Sequence, residues 1–432
     1  MSTSMEDAII LVKNILKDIE KLNISELKKK YGDILKKISP FEITLIEQQL
    51  IREGFKPEDI LRMCDLHVEL FREYLESIQL RDVPENHPLN LLMLENQEIV
   101  KLVEALNLYA ETVIREKDIE GKKKRYESLS TLLNKLKDSI RKHYRKNQML
   151  IFPYLERRGI YAVPRVLWGK EEEVIKEIRE LLSRKPTNTA EYDEIAGKAK
   201  ELGKKILDLV FRENKILYPA TWVLLEPGEW KAVDIMAREL GYIVEVKGEW
   251  GEGIEPIYPY MVDGVIPPEK YEKLPIEIKR VIKNIKPDNY VVAGENDIEF
   301  STGFLSPDEV EEILRSLPLE LTYADKNDRI KFYTKSKLVA GFPRTKTIIG
   351  RKLEYCHPPR LEKLVKSNVE LLKKGEIGYR VFWTRMGDRI LRVLIVGLRG
   401  KNGEYMGTLE VVEDFTDVIK NPKEIMEKIV VL

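Results

Sequence analysis

The stretch His143-Tyr-Arg-Lys-Asn-Gln-Met-Leu-Ile-Phe-Pro-Tyr-Leu-Glu156 decides how this chain is read, because a histidine closes a long apolar stripe. Counting back from His143, residues Ile140, Leu136, Leu133 and Leu129 recur at steps of three and four, the repeat of one buried helical face. His143 is therefore predicted to point inward. A second segment, Glu213-Asn-Lys-Ile-Leu-Tyr-Pro219, repeats the ending in which an aliphatic residue and an aromatic precede a proline. Its stripe of Ile195, Ala199, Leu202, Ile206 and Leu209 carries Glu213 to the inward position.

Two further stripes have the same flaw of one acidic member. Leu92, Ile99, Leu102 and Leu106 share a face with Glu95, and Val174, Ile178 and Leu181 share one with Glu171. The first of these helices opens at Pro84-Glu-Asn-His-Pro-Leu-Asn90, with Pro88 suited to an initial turn and His87 just outside it. Four long amphipathic segments with short joins predict an up-down four-helix bundle, which builds metal sites from facing side chains. An ionised carboxylate buried without a partner costs several kcal/mol, against roughly 5–15 for a whole domain. Something positive is expected among these carboxylates, either a metal or a Lys or Arg reaching in, with Lys170, Arg212 and Lys215 the candidates by position.

The rest of the composition narrows the class. A chain of 432 residues exceeds one ordinary core, so two to four domains are expected. Its 73 basic and 73 acidic residues cancel, which gives no global electrostatic case for a nucleic-acid or anionic-membrane partner. Charged residues make up 34% of the chain, a profile that suits the surface ion-pair networks of a thermophile. The two cysteines, Cys64 and Cys356, fall in different predicted domains, so a reducing cytoplasm is expected. There is no apolar run of the roughly 20 residues that a membrane span needs, and the first residues lack a signal-peptide pattern. No kinase loop, phosphate loop or zinc-ribbon spacing is present, so an enzyme is the less favoured class.

In order, residues 1–82 read as a helical domain in which Cys64 and His67 lie one turn apart, a spacing that suits packed core residues better than a metal pair. Residues 83–236 form the bundle. Residues 237–300, with their repeated Gly and Pro, read as a linker or small irregular subdomain. Residues 301–419 run helix, two strands (321–325 and 330–334), helices, then three strands (378–385, 390–398 and 405–412), the order of a PAS domain. His357 is read as a cap of the helix from Pro359 to Lys374, Tyr379, Phe382, Trp383, Leu394 and Ile395 as core or dimer-face residues, and 420–432 as a tail.

His87-Pro, the Glu95-Asn pair, His143-Tyr with Phe152-Pro-Tyr-Leu-Glu156, Trp168-Gly, and Glu213 with Leu217-Tyr-Pro219 together resemble the hemerythrin-like (HHE) cation-binding family. Leu317-Pro, Leu321-Thr, Ile349-Gly-Arg351, Cys356-His-Pro-Pro359 and the run from Gly403 to Thr416 resemble the PAS domain that follows this bundle in a class of bacterial and archaeal proteins. The N-terminal segment resembles a small helical domain of unknown function found ahead of such bundles. The resemblance implies a multidomain, mainly α chain ending in an α+β PAS domain. It also implies a non-haem iron site of one or two ions, or another divalent metal, with His87, Glu95, His143 and Glu213 at matching ligand positions; Glu171, inward on its own stripe, completes the expected set of metal ligands.

The departures redirect the chemistry. Asn147 and Gln148 follow His143 where the family commonly has a carboxylate, and Glu171-Glu172 stand where it commonly has His-Asp. With four histidines in the whole chain, a five-histidine oxygen-carrying centre cannot be assembled; the set is closer to ferritin-type carboxylate sites. The expected function is a cytoplasmic sensor or signalling adaptor, responsive to iron, oxygen or redox state, with an unidentified protein partner and homodimerisation through the PAS domain. A di-metal oxidoreductase or peroxidase and a metal-free interaction scaffold are the alternatives.

Overall fold

The computed structural model describes residues 83–265, 286–339 and 342–430, with positions 18, 26, 29, 30 and 80, in two compact units, Met1–Val291 and Val292–Leu432. The expected domain at 1–82, including Cys64 and His67, lies outside the described residues apart from those isolated positions.

The first unit is the predicted bundle. Its long helices are α1 (Pro88–Arg115), α2 (Ile119–Lys146), α4 (Ala162–Ser183) and α5 (Thr189–Arg212), with a short α3 (Phe152–Arg157) between α2 and α4. Helix α1 packs on α2 and α5, and α4 packs on α2 and α5, which closes a ring of four. The starts are chemically marked. Pro88 occupies the first turn of α1, where its missing N–H costs nothing. Asp118 and Asn188 cap α2 and α5 by accepting from the backbone N–H of Gly121 and Glu191. The stripe residues Leu129, Leu133, Leu136 and Ile140 are fully buried, and each such side chain contributes about 1.5–3 kcal/mol of burial.

Two features were not expected. Both α2 and α5 end in a π-helical turn, Asn147–Ile151 and Glu213–Leu217, just before Phe152-Pro153 and Tyr218-Pro219. Each inserts one extra residue at the buried polar cluster, a common place for such turns. The segment after α6 (Tyr218–Leu224) and α7 (Pro227–Leu240) is also irregular yet packed on the bundle. Tyr242, Ile243, Trp250 and Val262 join the bundle core, and Tyr154 and Arg157 donate to the carbonyls of Ile257 and Val262. Residues 241–262 therefore form a strap. It begins at Gly241, whose φ of 81° ends α7 in a conformation that favours glycine.

The second unit is an antiparallel α+β domain. After a hairpin of β1 (Ile298–Phe300) and β2 (Gly303–Leu305), α8 (Pro307–Ser316) opens with a capping box of Ser306 and Glu309. The sheet has the order β4-β3-β7-β6-β5, with β3 (Leu319–Asp325), β4 (Ile330–Tyr333), β5 (Tyr379–Met386), β6 (Arg389–Arg399) and β7 (Tyr405–Asp414). Helix α9 (Pro359–Lys374) packs on β6 and β7, and α10 (Thr416–Lys420) and α11 (Pro422–Glu427) follow. The expected strands are all present. Pro358, not His357, precedes the first turn of α9, and the His357 ring Nδ1 lies 3.0 Å from the Leu353 carbonyl, so His357 closes the preceding turn instead. Tyr379 and Trp383 are 66% and 56% exposed and share the outer face of the edge strand β5 with Val381. No helix among the described residues is long and apolar enough to cross a membrane.

Candidate functional site

Three of the five predicted ligands meet in the bundle. His143, in the last turn of α2, lies between two carboxylates: Nδ1 is 2.7 Å from Glu95 Oε2 on α1, and Nε2 is 2.7 Å from Glu213 Oε2 at the end of α5. All three side chains are fully buried. The α2 and α5 stripes deliver His143 and Glu213 at corresponding ends, and the π-helical turns begin there.

Glu95 has further partners. Lys146 Nζ is 3.0 Å from Glu95 Oε1, and the Ile243 backbone N–H donates to the same oxygen at 2.8 Å. Lys146 also donates to the carbonyls of Gly241 and Lys142, at 2.8 and 3.1 Å. The cation that meets Glu95 is Lys146, a residue outside the three candidates by position, Lys170, Arg212 and Lys215. Lys146 lies three residues after His143 on the same helical face, and that spacing was the available signal. Ile243 had none, because it belongs to the aperiodic strap.

Glu171 reaches the cluster from α4. It is 1% exposed, and Gln148 Nε2 donates to its Oε2 at 2.6 Å. Tyr218, from the aromatic-proline ending after Glu213, places its hydroxyl 3.3 Å from His143 Nε2 and within 3.4 Å of Asn147 Oδ1 and Glu213 Oε2. Asn96 Nδ2 donates to Glu213 Oε2 at 2.9 Å.

The fifth predicted ligand, His87, has other work. Its Nδ1 accepts from the Leu89 N–H and caps α1. Its ring meets Trp222, Trp230 and Trp250 edge-on at centroid distances of 5.1, 5.0 and 4.4 Å. Burial pushes its pKa down to about 4, so it is neutral at pH 7.

The electrostatics separate the two glutamates on facing helices. For Glu95, burial favours the neutral acid, but the hydrogen bond and charge of His143, then Lys146 and the Ile243 N–H, hold the carboxyl below its usual range. For Glu171, burial and the charge of Glu213 act together and push the pKa up to about 8. For His143, burial opposes protonation, but Glu213 and Glu95 more than offset it and raise the pKa to about 9. Burial lowers Lys146, with Glu95 acting against it.

The hydrogen-bond accounting is incomplete on one side. Glu213 Oε1, Glu171 Oε1, Asn147 Nδ2, Asn96 Oδ1 and the Tyr144 hydroxyl are buried without a partner among the described residues. Such atoms are rare in folded proteins and call for a ligand, ion or water. Among the described residues, no three His, Cys, Asp or Glu side chains already stand as a metal shell, because His143 spends both ring nitrogens on carboxylates. The donor set fits one cation better than two. Glu213 and Glu171 each keep one buried oxygen without a partner among the described residues, whereas Glu95 is already neutralised by an ammonium.

The first unit is thus a four-helix bundle with a histidine and carboxylates gathered at one buried point, and the chain continues into an antiparallel sheet of PAS order. Family models agree in three segments: the hemerythrin HHE cation binding domain over residues 87–221, a PAS domain over 310–416, and a family of unknown function (DUF438) over 12–77. The chain thus carries, in order, a DUF438 segment, a hemerythrin HHE domain and a PAS domain. Among solved structures it is similar to a C-terminal domain from Streptococcus mutans, 31% identical over 29% of this chain and 96% of that one, with a TM-score of 0.27. It is also similar to the PAS domain of a protein from Colwellia psychrerythraea, 18% identical over 26% of this chain and 97% of that one, with a TM-score of 0.21. No curated protein matches the chain.

Proposed function

We propose that the protein is a cation-responsive sensor or adaptor in which the bundle holds one divalent metal and the PAS domain relays or dimerises. The carrying observation is the asymmetry of the cluster: Glu95 is accounted for by Lys146 and the Ile243 N–H, while Glu213 and Glu171 each keep a buried oxygen without a partner among the described residues. In this reading His143, Glu171 and Glu213 are the ligands. Glu95 accepts from the far ring nitrogen of His143 and fixes its orientation, the usual arrangement behind a metal-bound histidine. A redox-active ion such as iron would make the bundle responsive to oxygen or redox state. His87 acts as a helix cap and Lys146 stands beside the carboxylate that a second ion would need, so a di-metal oxidoreductase has less support.

Metal content of untagged protein after iron or manganese supplementation tests this. The expected result is about one ion per chain, and Glu171→Gln, which preserves shape and the Gln148 contact, should lower it at least about tenfold, as loss of a carboxylate ligand implies. Content near zero in the parent chain, or unchanged in the variant, would remove the reading.

A metal-free scaffold is favoured by one specific observation. Glu95 and Glu213 face a protonated His143 and Lys146, and Glu171 is held neutral at pH 7, so the cluster balances without an ion. A metal must then displace protons from His143 and Glu171, and titration of released protons on metal addition separates the two readings. For the PAS domain, the exposed row of Tyr379, Val381 and Trp383 supports self-association along β5. Trp383→Glu should shift sedimentation toward monomer; an unchanged profile would count against that surface. Cys356 is a free thiol, in keeping with a cytoplasmic location.

A further inference from the structure

The two aromatic-proline endings occupy equivalent places in the bundle but differ by one oxygen. After α2 the π-helical turn Asn147–Ile151 is closed by the Phe152 N–H donating to the Asn147 carbonyl, and after α5 the turn Glu213–Leu217 is closed by the Tyr218 N–H donating to the Glu213 carbonyl. In an α-helix residues five apart point about 140° away from each other around the axis. The wider π turn brings them onto one side, so Tyr218 lies over Glu213. Phe152 and Tyr218 are both fully buried. A plain phenyl ring serves the packing at this position after α2, and the hydroxyl is added only at the end that carries Glu213.

That hydroxyl has three polar neighbours and no short hydrogen bond to any of them. It stands 3.3 Å from His143 Nε2, 3.3 Å from Asn147 Oδ1 and 3.4 Å from Glu213 Oε2. A usual O–H···O contact is about 2.7–2.8 Å. Donor atoms that share one ion at about 2.0–2.2 Å, by contrast, stand roughly 3.0–3.5 Å apart. The Tyr218 oxygen therefore already has ligand spacing to one atom each of His143 and Glu213. The third side of this triangle, 2.7 Å from His143 Nε2 to Glu213 Oε2, is the hydrogen bond that an ion would replace.

Charge decides which ion makes use of the phenol. With Lys146 balancing Glu95, the set of Glu171, Glu213 and a neutral His143 carries two negative charges, which a divalent ion cancels while Tyr218 keeps its proton. A trivalent ion leaves one positive charge buried and unpaired, a costly state. Breaking the Tyr218 O–H bond, with the proton leaving to solvent, removes that charge and supplies a hard anionic oxygen of the kind that suits ferric iron. We propose that Tyr218 is a further ligand of the bundle site, coordinating as a phenolate when the ion is ferric and remaining a phenol when it is divalent. This rests on the metal site proposed for the bundle and adds the residue by which that site tells a trivalent ion from a divalent one.

The test strips the full chain with chelator, loads it with ferric nitrilotriacetate or manganese(II) chloride, removes the excess, and follows metal content, visible absorption and resonance Raman scattering. The ferric form should show a phenolate-to-iron charge-transfer band and enhanced tyrosinate ring modes, and the manganese(II) form neither. Tyr218→Phe should abolish both signals and lower ferric retention against citrate at least about tenfold more than manganese(II) retention, the scale on which a lost contact at a metal site is felt. Tyr144→Phe, which removes a second buried hydroxyl on the residue next to His143, should keep the band. Circular dichroism melting of each variant separates a lost ligand from a lost fold. A band that persists in Tyr218→Phe, or equal loss of the two ions from it, would overturn the assignment. Ferric ion bound to the parent chain without the band would overturn it and leave the metal site standing, whereas a chain that takes up neither ion would remove both.

Discussion

Glu95 and Glu171 are both glutamates at inward positions of bundle helices, both are buried, and they stand in opposite electrostatic states. On the α1 side every oxygen of Glu95 is met by a ring nitrogen, an ammonium or a backbone N–H, and ionisation is favoured. On the α4 side one oxygen of Glu171 is met by an amide and the other has no partner among the described residues, and ionisation is suppressed. Burial alone does not decide what a carboxylate does in an apolar bundle. What decides is how many donors the surrounding elements bring, and here the strap brings them to one side only.

The largest expected effect breaks this comparison at its strong end. Lys146→Met keeps the side-chain volume but removes the ammonium from Glu95, leaving it buried with only His143 and the Ile243 N–H, and such a half-broken pair costs about 3–5 kcal/mol. Urea unfolding of the metal-free chain is the measurement, with Glu171→Gln as the reference at about 1 kcal/mol or less. Equal losses in the two variants would mean that the two sides are not different in kind.

Next in size is the pH dependence. Glu171 is raised from 4.5 to about 8 and His143 from 6.5 to about 9 in the folded chain. The stabilisation linked to Glu171 is full below 4.5 and lost as pH rises through about 8. That linked to His143 is full below 6.5 and lost through about 9. Between pH 6.5 and 8 the folded state binds more protons than the unfolded state at both sites, so stability falls with rising pH. Each site contributes up to about 1.4 kcal/mol per pH unit. Glu95, whose pKa is lowered, has the opposite sign, and its contribution is lost on acidification. Urea midpoints measured across this window should decline, and a bound divalent cation should flatten the decline by replacing the protons. A rising profile in the metal-free chain would contradict the assignments for Glu171 and His143.

The smallest effect concerns His87. Asparagine retains a capping acceptor, so His87→Asn should cost only about 1–2 kcal/mol, mostly from lost packing against the tryptophans, and should leave metal content unchanged. A loss of metal in this variant would return His87 to the ligand set.

Much of this was legible in the residues. The 3.6-residue stripes placed His143, Glu95, Glu171 and Glu213 inside, because one polar residue in an otherwise apolar row is conspicuous. The alternation and turn chemistry of the C-terminal third likewise marked each strand of the sheet. The misses share a physical reason. Lys146 was overlooked because lysine is ordinarily solvated, and here the Glu95 carboxylate with the backbone carbonyls of Gly241 and Lys142 makes its burial tolerable. The strap is aperiodic, so the sequence from 241 to 262 resembled a linker, although its N–H and carbonyl groups complete the polar cluster. The π-helical turns changed the phase after His143 and Glu213 without any compositional mark. His87 had the right residue type and the right neighbours for a ligand, but cap geometry is fixed by the chain entering the helix.

The strap also sets how the bundle's charge state is linked to the rest of the polypeptide. Residues leaving α7 toward the second unit pass first through Gly241 and Ile243, whose carbonyl and N–H hold Lys146 and Glu95. Any event that changes the preference of Glu95 for its donors therefore changes, by the same free energy, the preference of this tether for its docked position. A chain cut after Leu240 would lose both backbone contacts together with the Trp250 face over His87. The covalent path out of the bundle is thus part of its ionic interior, and a change at one is a load on the other.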